Sequence, residues 1–146
     1  EKAYRHHGHD ISCEDHVLEA GLGFAVKTGK KAGRFGDFVG RVAVLERAAQ
    51  GLRRRMLPFR LDDPQPLLFH NEPILRDGRI VGRVTSGAYG HHLGAAIGLG
   101  YVPVEAGEGE AELLGARWEI KVAGTRFAAR ASLRPMHDPR SERPRS

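Results

Sequence analysis

The chain has a single cysteine, Cys13, among its 146 residues. An internal disulfide is therefore excluded, and a reducing, cytoplasmic setting is the expectation. Glu14 and Asp15 follow that cysteine directly, and acidic neighbours argue against a reactive thiol. Long apolar runs are missing too: none approaches the ~20 residues that a bilayer-spanning helix needs, so no membrane partner is expected. There is no P-loop, and the pairs Gly21/Gly23 and Gly98/Gly100 lack the third glycine of a dinucleotide fingerprint. Aromatic residues make up only 7% of the chain, and the densest basic run, Arg53-Arg54-Arg55, has none interleaved. Nucleic acid is therefore not an expected partner despite a net charge of +5. The run reads instead as the solvated end of a helix, complementing its dipole.

What is present fits an ordinary globular chain, with 40% hydrophobic and 28% charged residues. The best helical period covers about Phe38 to Gln50, with Phe38, Val42, Leu45 and Ala49 on one face, Asp37 as N-cap and Gly51 at the end. Ser12 with Asp15 resembles a capping box for a short helical turn. Leu18 to Lys27 reads as a glycine-bent strand with Leu22, Phe24 and Val26 on one face. Leu57, Phe59 and Leu61 alternate as a strand, and Asp62-Asp63-Pro64-Gln65-Pro66 marks a change of composition after which everything reads as β. Asp77-Gly78 between alternating segments predicts a tight hairpin. Trp118, Ile120 and Val122, turned at Gly124 toward Phe127, Ala129, Ala131 and Leu133, predict a second one. Ser86-Gly87 is read as a strand break that leaves Tyr89, His91 and His92 on a loop before a strand at Leu99 to Val104.

Candidate chemistry is sparse. His6, His7, His9, Cys13 and His16 are residue types that ligate zinc, but their spacing matches no closed zinc pattern, and no metal site is expected. Ser86 and Ser132 lack an identifiable base or orienting acid, so no nucleophilic triad is assigned.

The string Gly82-Arg83-Val84-Thr85-Ser86-Gly87-Ala88-Tyr89-Gly90-His91, followed by Ile97-Gly98-Leu99-Gly100-Tyr101-Val102, resembles the C-terminal barrel signature of the folate-binding aminomethyltransferases, the glycine-cleavage T-protein group. Further segments resemble that family in the family's order: Glu1 through Ile11, Leu18-Glu19-Ala20-Gly21-Leu22, Val26-Lys27, Asp37 through Arg41, and Arg134 through Pro139. The wording Glu-Lys-Ala-Tyr-Arg-His and Leu-Glu-Ala-Gly-Leu is similar to the subgroup fused behind a flavin oxidoreductase, the dimethylglycine and sarcosine dehydrogenases. The resemblance implies an α+β chain: the end of a middle α+β lobe over residues 1–58, then a small, mostly antiparallel C-terminal β-barrel over residues 59–146. It implies a portion of a longer one-carbon transfer enzyme, with tetrahydrofolate as ligand and FAD bound outside this chain. The partners it implies are folate and the upstream flavin and folate lobes of the same polypeptide.

By the same resemblance Glu1 matches the glutamate that hydrogen-bonds the pterin, Tyr89 a tyrosine near the folate, and Phe24 and Lys27 lie on a strand lining the central cavity. Phe24 is read as core. The T-protein group has arginines after the Lys27 position where this chain has Thr28-Gly29-Lys30-Lys31. No residue here is expected to be catalytic, because the family's aspartate for the transfer lies in the first lobe. The alternative from a different class is a structural or interaction module that keeps the fold without the chemistry.

Overall fold

Asp77 and Gly78 take φ values of 51° and 84°, the paired positive dihedrals of a type I′ turn, whose twist matches that of the strands it joins. That turn joins β2 (Pro73–Arg76) to β3 (Arg79–Gly90) in the computed structural model, which describes residues 1–26, 38–140 and 142. Ala123 and Gly124, at φ 46° and 89°, make the matching turn between β5 (Trp118–Val122) and β6 (Thr125–Ala131). With β1 (Arg54–Leu61) and β4 (Ala95–Pro103), these strands close an antiparallel barrel in the order β1-β4-β3-β2-β5-β6. Closure leaves the sheet without an unpaired edge. The small antiparallel barrel is the architecture expected from the sequence. β1 runs unbroken through Pro58, the position where the sequence reading divided the lobes.

Inside, Leu57, Phe59 and Leu61 of β1 meet Ile74, Val84, Val102, Trp118 and Ile120, all of them buried. Phe59 and Trp118 pack edge to face with centroids 5.4 Å apart, the arrangement that aligns a ring edge with a π face. A six-residue helix, α2 (Glu110–Gly115), adds Leu113 to this core, and its carbonyl accepts the Trp118 indole N–H at 3.0 Å. The sequence reading missed α2, since Gly107 and Gly109 obscure a segment barely longer than one turn. Leu68, from the connection between β1 and β2, reaches the core against Gly87. A Cβ at Gly87 would lie 2.6 Å from the Leu68 carbonyl carbon. Gly87 thus serves close packing inside a continuous strand rather than the break read from the sequence.

One irregularity governs the outer face. The β3–β4 register runs Val84↔Gly100 and then Ser86↔Leu99, so Thr85 is the extra residue of a β-bulge. A bulge sets two successive side chains on one face and reverses the alternation beyond it. Val84, Gly87 and Tyr89 therefore point to the barrel interior side, while Thr85, Ser86 and Ala88 point outward. The cross-strand partners agree, for Tyr89 pairs with core residue Ala96 and Ala88 pairs with Ile97.

The residues before the barrel depart more from expectation. Helix α1 (Arg41–Gln50) forms, but it starts after Gly40, and none of its residues is buried. Asp37 lies outside the described residues. Leu18 to Val26 forms turns and a single 3₁₀ turn, Gly23–Ala25, instead of a strand, and Phe24 is 85% exposed rather than core. Apolar alternation specifies a strand only where a neighbouring strand can pair with it, and the described residues provide none. Ser12 and Asp15 do bond, the Ser12 N–H and hydroxyl both donating to Asp15 Oδ2 at 2.7 and 3.0 Å, while Glu14 N–H donates to Ser12 Oγ at 3.2 Å, but they close a turn and no helix follows.

Candidate functional site

Residues 1–20 lie across the outside of β1, β3 and β4, and buried polar contacts fix them there. Met56 is sandwiched between the core strands and this segment, packing with Ala3 and Leu99. This is why β1 is buried on both faces from Met56 to Phe59. Met56 N–H donates to Glu19 O at 2.8 Å. Arg54 donates to Glu19 Oε2 at 2.9 Å and Asp15 Oδ1 at 2.8 Å, with its guanidinium 4.4 Å from the centroid of the Tyr101 ring. Burial, with Asp15 next in weight, pushes the Tyr101 phenol up to about 12. The arginine run therefore opens a strand and is not a solvated helix end, α1 having finished at Gln50. Arg55 is also engaged, donating to Glu110 at 3.1 Å.

Asp10 is the anchor of the segment and is 2% exposed. Its Oδ2 accepts the His6 N–H at 2.8 Å, and its Oδ1 accepts the Ser86 hydroxyl at 2.7 Å and the Thr85 hydroxyl. Because the bulge turns Thr85 and Ser86 to the same side, one carboxylate reaches both. Sequence reading passed over Asp10, whose partners lie 75 and 76 positions away.

Between this segment and the barrel wall lies a cavity of about 450 Å³. Its walls include Tyr4, Pro58, Leu93, Ile97 and Met136, and Glu1 stands among them as the carboxylate. Glu1 Oε1 accepts N–H groups from His92 at 2.7 Å and Leu93 at 3.1 Å, and Oε2 lies 2.9 Å from His92 Nδ1. The ring contact with His92 is the main reason the Glu1 carboxyl is held down at about 2; desolvation, next in weight, opposes it, and the two backbone donors add to the lowering. His92 in turn stacks on His137 at 4.2 Å. Chemically, the site offers an anionic acceptor beside an apolar, aromatic-walled space.

Of the residues that the resemblance assigned to the ligand, Glu1 lines this cavity, and Ser86, read from the sequence as a hydroxyl without a base, lines it too. Tyr89 lies on β3 rather than on the loop, turned by the bulge to the interior side of the strand, half exposed and edge to face with His91 at 5.2 Å. Ala88 takes the cavity-facing position. The aromatic wall is Tyr4, inside the quoted Glu1-to-Arg5 motif but not identified from it. Phe24 is on the surface away from the cavity lining, and Lys27 and Thr28 to Lys31 lie outside the described residues. His6 and His9 stack on one another at 4.7 Å, and among the described residues no group of three or more His, Cys, Asp or Glu side chains is placed to hold a metal ion.

Comparison with known proteins adds an independent line. A family model for the glycine cleavage T-protein C-terminal barrel domain matches residues 54–138, starting at the first residue of β1. The chain is 39% identical over 143 residues to 4-methylaminobutanoate oxidase (formaldehyde-forming) of Paenarthrobacter nicotinovorans, covering 98% of this chain and 16% of that protein. It is 36% identical to human mitochondrial dimethylglycine dehydrogenase, covering 88% of this chain and 14% of that one. Against the aminomethyltransferase of Synechocystis sp. the identity is 39%, over 83% of this chain and 32% of the relative. Among solved structures, aminomethyltransferase T of the Bartonella henselae glycine cleavage system superposes with a TM-score of 0.71 at 25% identity, over 88% of this chain and 34% of that one. The chain thus spans about a third or less of the length of these proteins.

Proposed function

This chain belongs to the glycine cleavage T-protein family through its C-terminal barrel domain, and from that premise we propose that it walls part of a tetrahydrofolate site in a longer one-carbon transfer enzyme. The observation that carries the reading is the Glu1 carboxylate beside a cavity of about 450 Å³, a volume within the range of small-molecule sites. The aminopyrimidine edge of a pterin presents adjacent N–H donors, and a carboxylate accepts such a pair with one on each oxygen. A flat ring held that way needs apolar walls. Tyr4, Ile97 and Met136 supply them, and Tyr4 adds a face for stacking.

In this reading the chain binds and orients the folate and keeps water from its ring, and none of its residues is assigned to catalysis. Flavin, when bound to such an enzyme, supplies oxidation of an N-methyl amine. That step belongs to parts of the polypeptide outside these 146 residues. The names of the dimethylglycine dehydrogenase and 4-methylaminobutanoate oxidase relatives support an N-methylated amine as the one-carbon source.

Calorimetric titration of tetrahydrofolate into the full-length protein tests the proposal. Tyr4→Ala is expected to weaken binding a few-fold, the size of one lost stack of about 1 kcal/mol. Glu1→Gln is expected to weaken it by roughly tenfold, since a charge-assisted pair becomes a neutral one. Tyr89→Ala reports whether the ligand also reaches the barrel-interior side of β3. Absence of binding by the full-length protein would overturn the proposal and leave the non-catalytic module in its place.

A further inference from the structure

The contacts of Glu1 raise a conflict, because the carboxylate that a ligand would use is already occupied by the chain itself. Oε1 holds two backbone N–H groups, from His92 and Leu93, and Oε2 holds the His92 ring. A carboxylate offers about four acceptor directions, two on each oxygen. Oε1 has none left. Paired donors from a ligand need one acceptor on each oxygen, so they fit only if the rim segment His91–Leu93 gives up its hold.

The rim is built so that it can. Gly90 and Gly94 bracket it, and Gly94 takes φ of 65°, a conformation that costs a glycine nothing. Leu93 N–H has a second acceptor in Gly90 O at 3.1 Å, and Gly94 N–H bonds to the same oxygen at 2.8 Å. Releasing Glu1 therefore leaves the Leu93 amide on Gly90 O, and the His92 amide, on an exposed residue, passes to water. The His92 ring is 54% exposed, so water can replace the carboxylate on it. Two contacts favour the closed position: Arg60 Nη2 donates to Leu93 O at 3.0 Å, and His137 stacks on His92.

We propose that the His91–Leu93 rim competes with the ligand for Glu1, and that His92 sets the affinity of the site by occupying the carboxylate when the cavity is empty. This rests on the reading that the cavity takes a ligand with paired N–H donors. His92 is here a determinant of affinity that touches Glu1 in the free protein and leaves it in the complex.

The test pairs tetrahydrofolate titration of the full-length protein and its His92→Ala form with amide hydrogen exchange at His92, Leu93 and Gly94. His92→Ala removes the ring from Oε2 and should tighten binding by roughly three- to tenfold, the range of one net hydrogen bond. Ligand should accelerate exchange at His92 in the parent and leave Gly94 unchanged. Weaker or unaltered binding by His92→Ala would overturn the proposal, the first by making the imidazole a ligand contact and the second by making it irrelevant. If no form binds tetrahydrofolate, the folate reading fails by itself. The competition is then read without ligand, where Glu1→Gln must accelerate exchange at His92; unchanged exchange there would refute the latch.

Discussion

Replacing Asp10 by alanine removes the carboxylate on which the N-terminal segment and the β3 bulge converge. His6 N–H loses its partner, as do the hydroxyls of Thr85 and Ser86. The three losses are unequal. The single Thr85 hydroxyl proton can turn instead to Leu99 O, 3.1 Å away, and Ser86 lines the cavity, where water can reach it. His6 N–H has no such substitute. Hydrogen bonds to charged groups contribute about 1.5–3 kcal/mol each. With one bond lost outright and two partly replaced, Asp10→Ala should cost about 2–4 kcal/mol. For a chain of this size that lowers Tm by roughly 5–15 °C. Urea denaturation measures it directly, and a double-mutant cycle with Thr85→Val isolates the pairwise coupling, expected at about 0.5–3 kcal/mol. Asp10→Asn, which keeps the shape and one acceptor oxygen, should fall between the two. A stability loss below about 0.5 kcal/mol for Asp10→Ala, within the range of an ordinary surface substitution, would refute the claim that this carboxylate anchors the segment.

Two further outcomes follow from the packing. Gly87→Ala would set a Cβ 2.6–2.7 Å from Leu68 backbone and Cβ atoms, and should destabilise by about 1–3 kcal/mol as overpacking does; a urea midpoint equal to the parent's would show that Leu68 is not held against β3. Tyr101 keeps its proton in the folded state up to about 12, against an ordinary value of 10.0, so its contribution to stability is complete below the unfolded value and declines as pH rises from 10 to about 12. Tyr101→Phe should flatten that decline and remove a late step from the phenolate absorbance titration of the folded protein; an unchanged titration would contradict the burial assigned to this ring.

The two hairpins were legible because their turns are local: Asp77-Gly78 and Gly124 are residues that accept the positive φ their positions take. The Glu1 position was legible through resemblance. Its actual contacts were not, since the amides it holds lie 91 and 92 residues away. Leu18 to Val26 was misread because glycine-spaced apolar alternation fits a strand or a string of turns equally well until a neighbour decides. α1 has the period of an amphipathic helix, yet Val42 on its apolar face remains 65% exposed. A period says which face could be buried, and only a packed neighbour buries it.

The amino-acid sequence by itself determined the antiparallel strands and their tight turns, because period-two alternation and residues tolerant of positive φ act over a few bonds. The tertiary structure decided which way β3 faces after Val84. The sequence reading breaks the strand at Ser86-Gly87 and leaves Tyr89 on a loop, whereas strict alternation beyond Val84 would keep Ser86 and Ala88 on the inner face. The extra residue at Thr85 reverses this, sending Ser86 and Ala88 outward and Tyr89 inward. Nothing local marks that insertion. The carboxylate that gathers both hydroxyls is Asp10, brought there by the chain's passage across the barrel wall, and a side-chain period of two leaves any single-residue shift to be settled by such a distant partner.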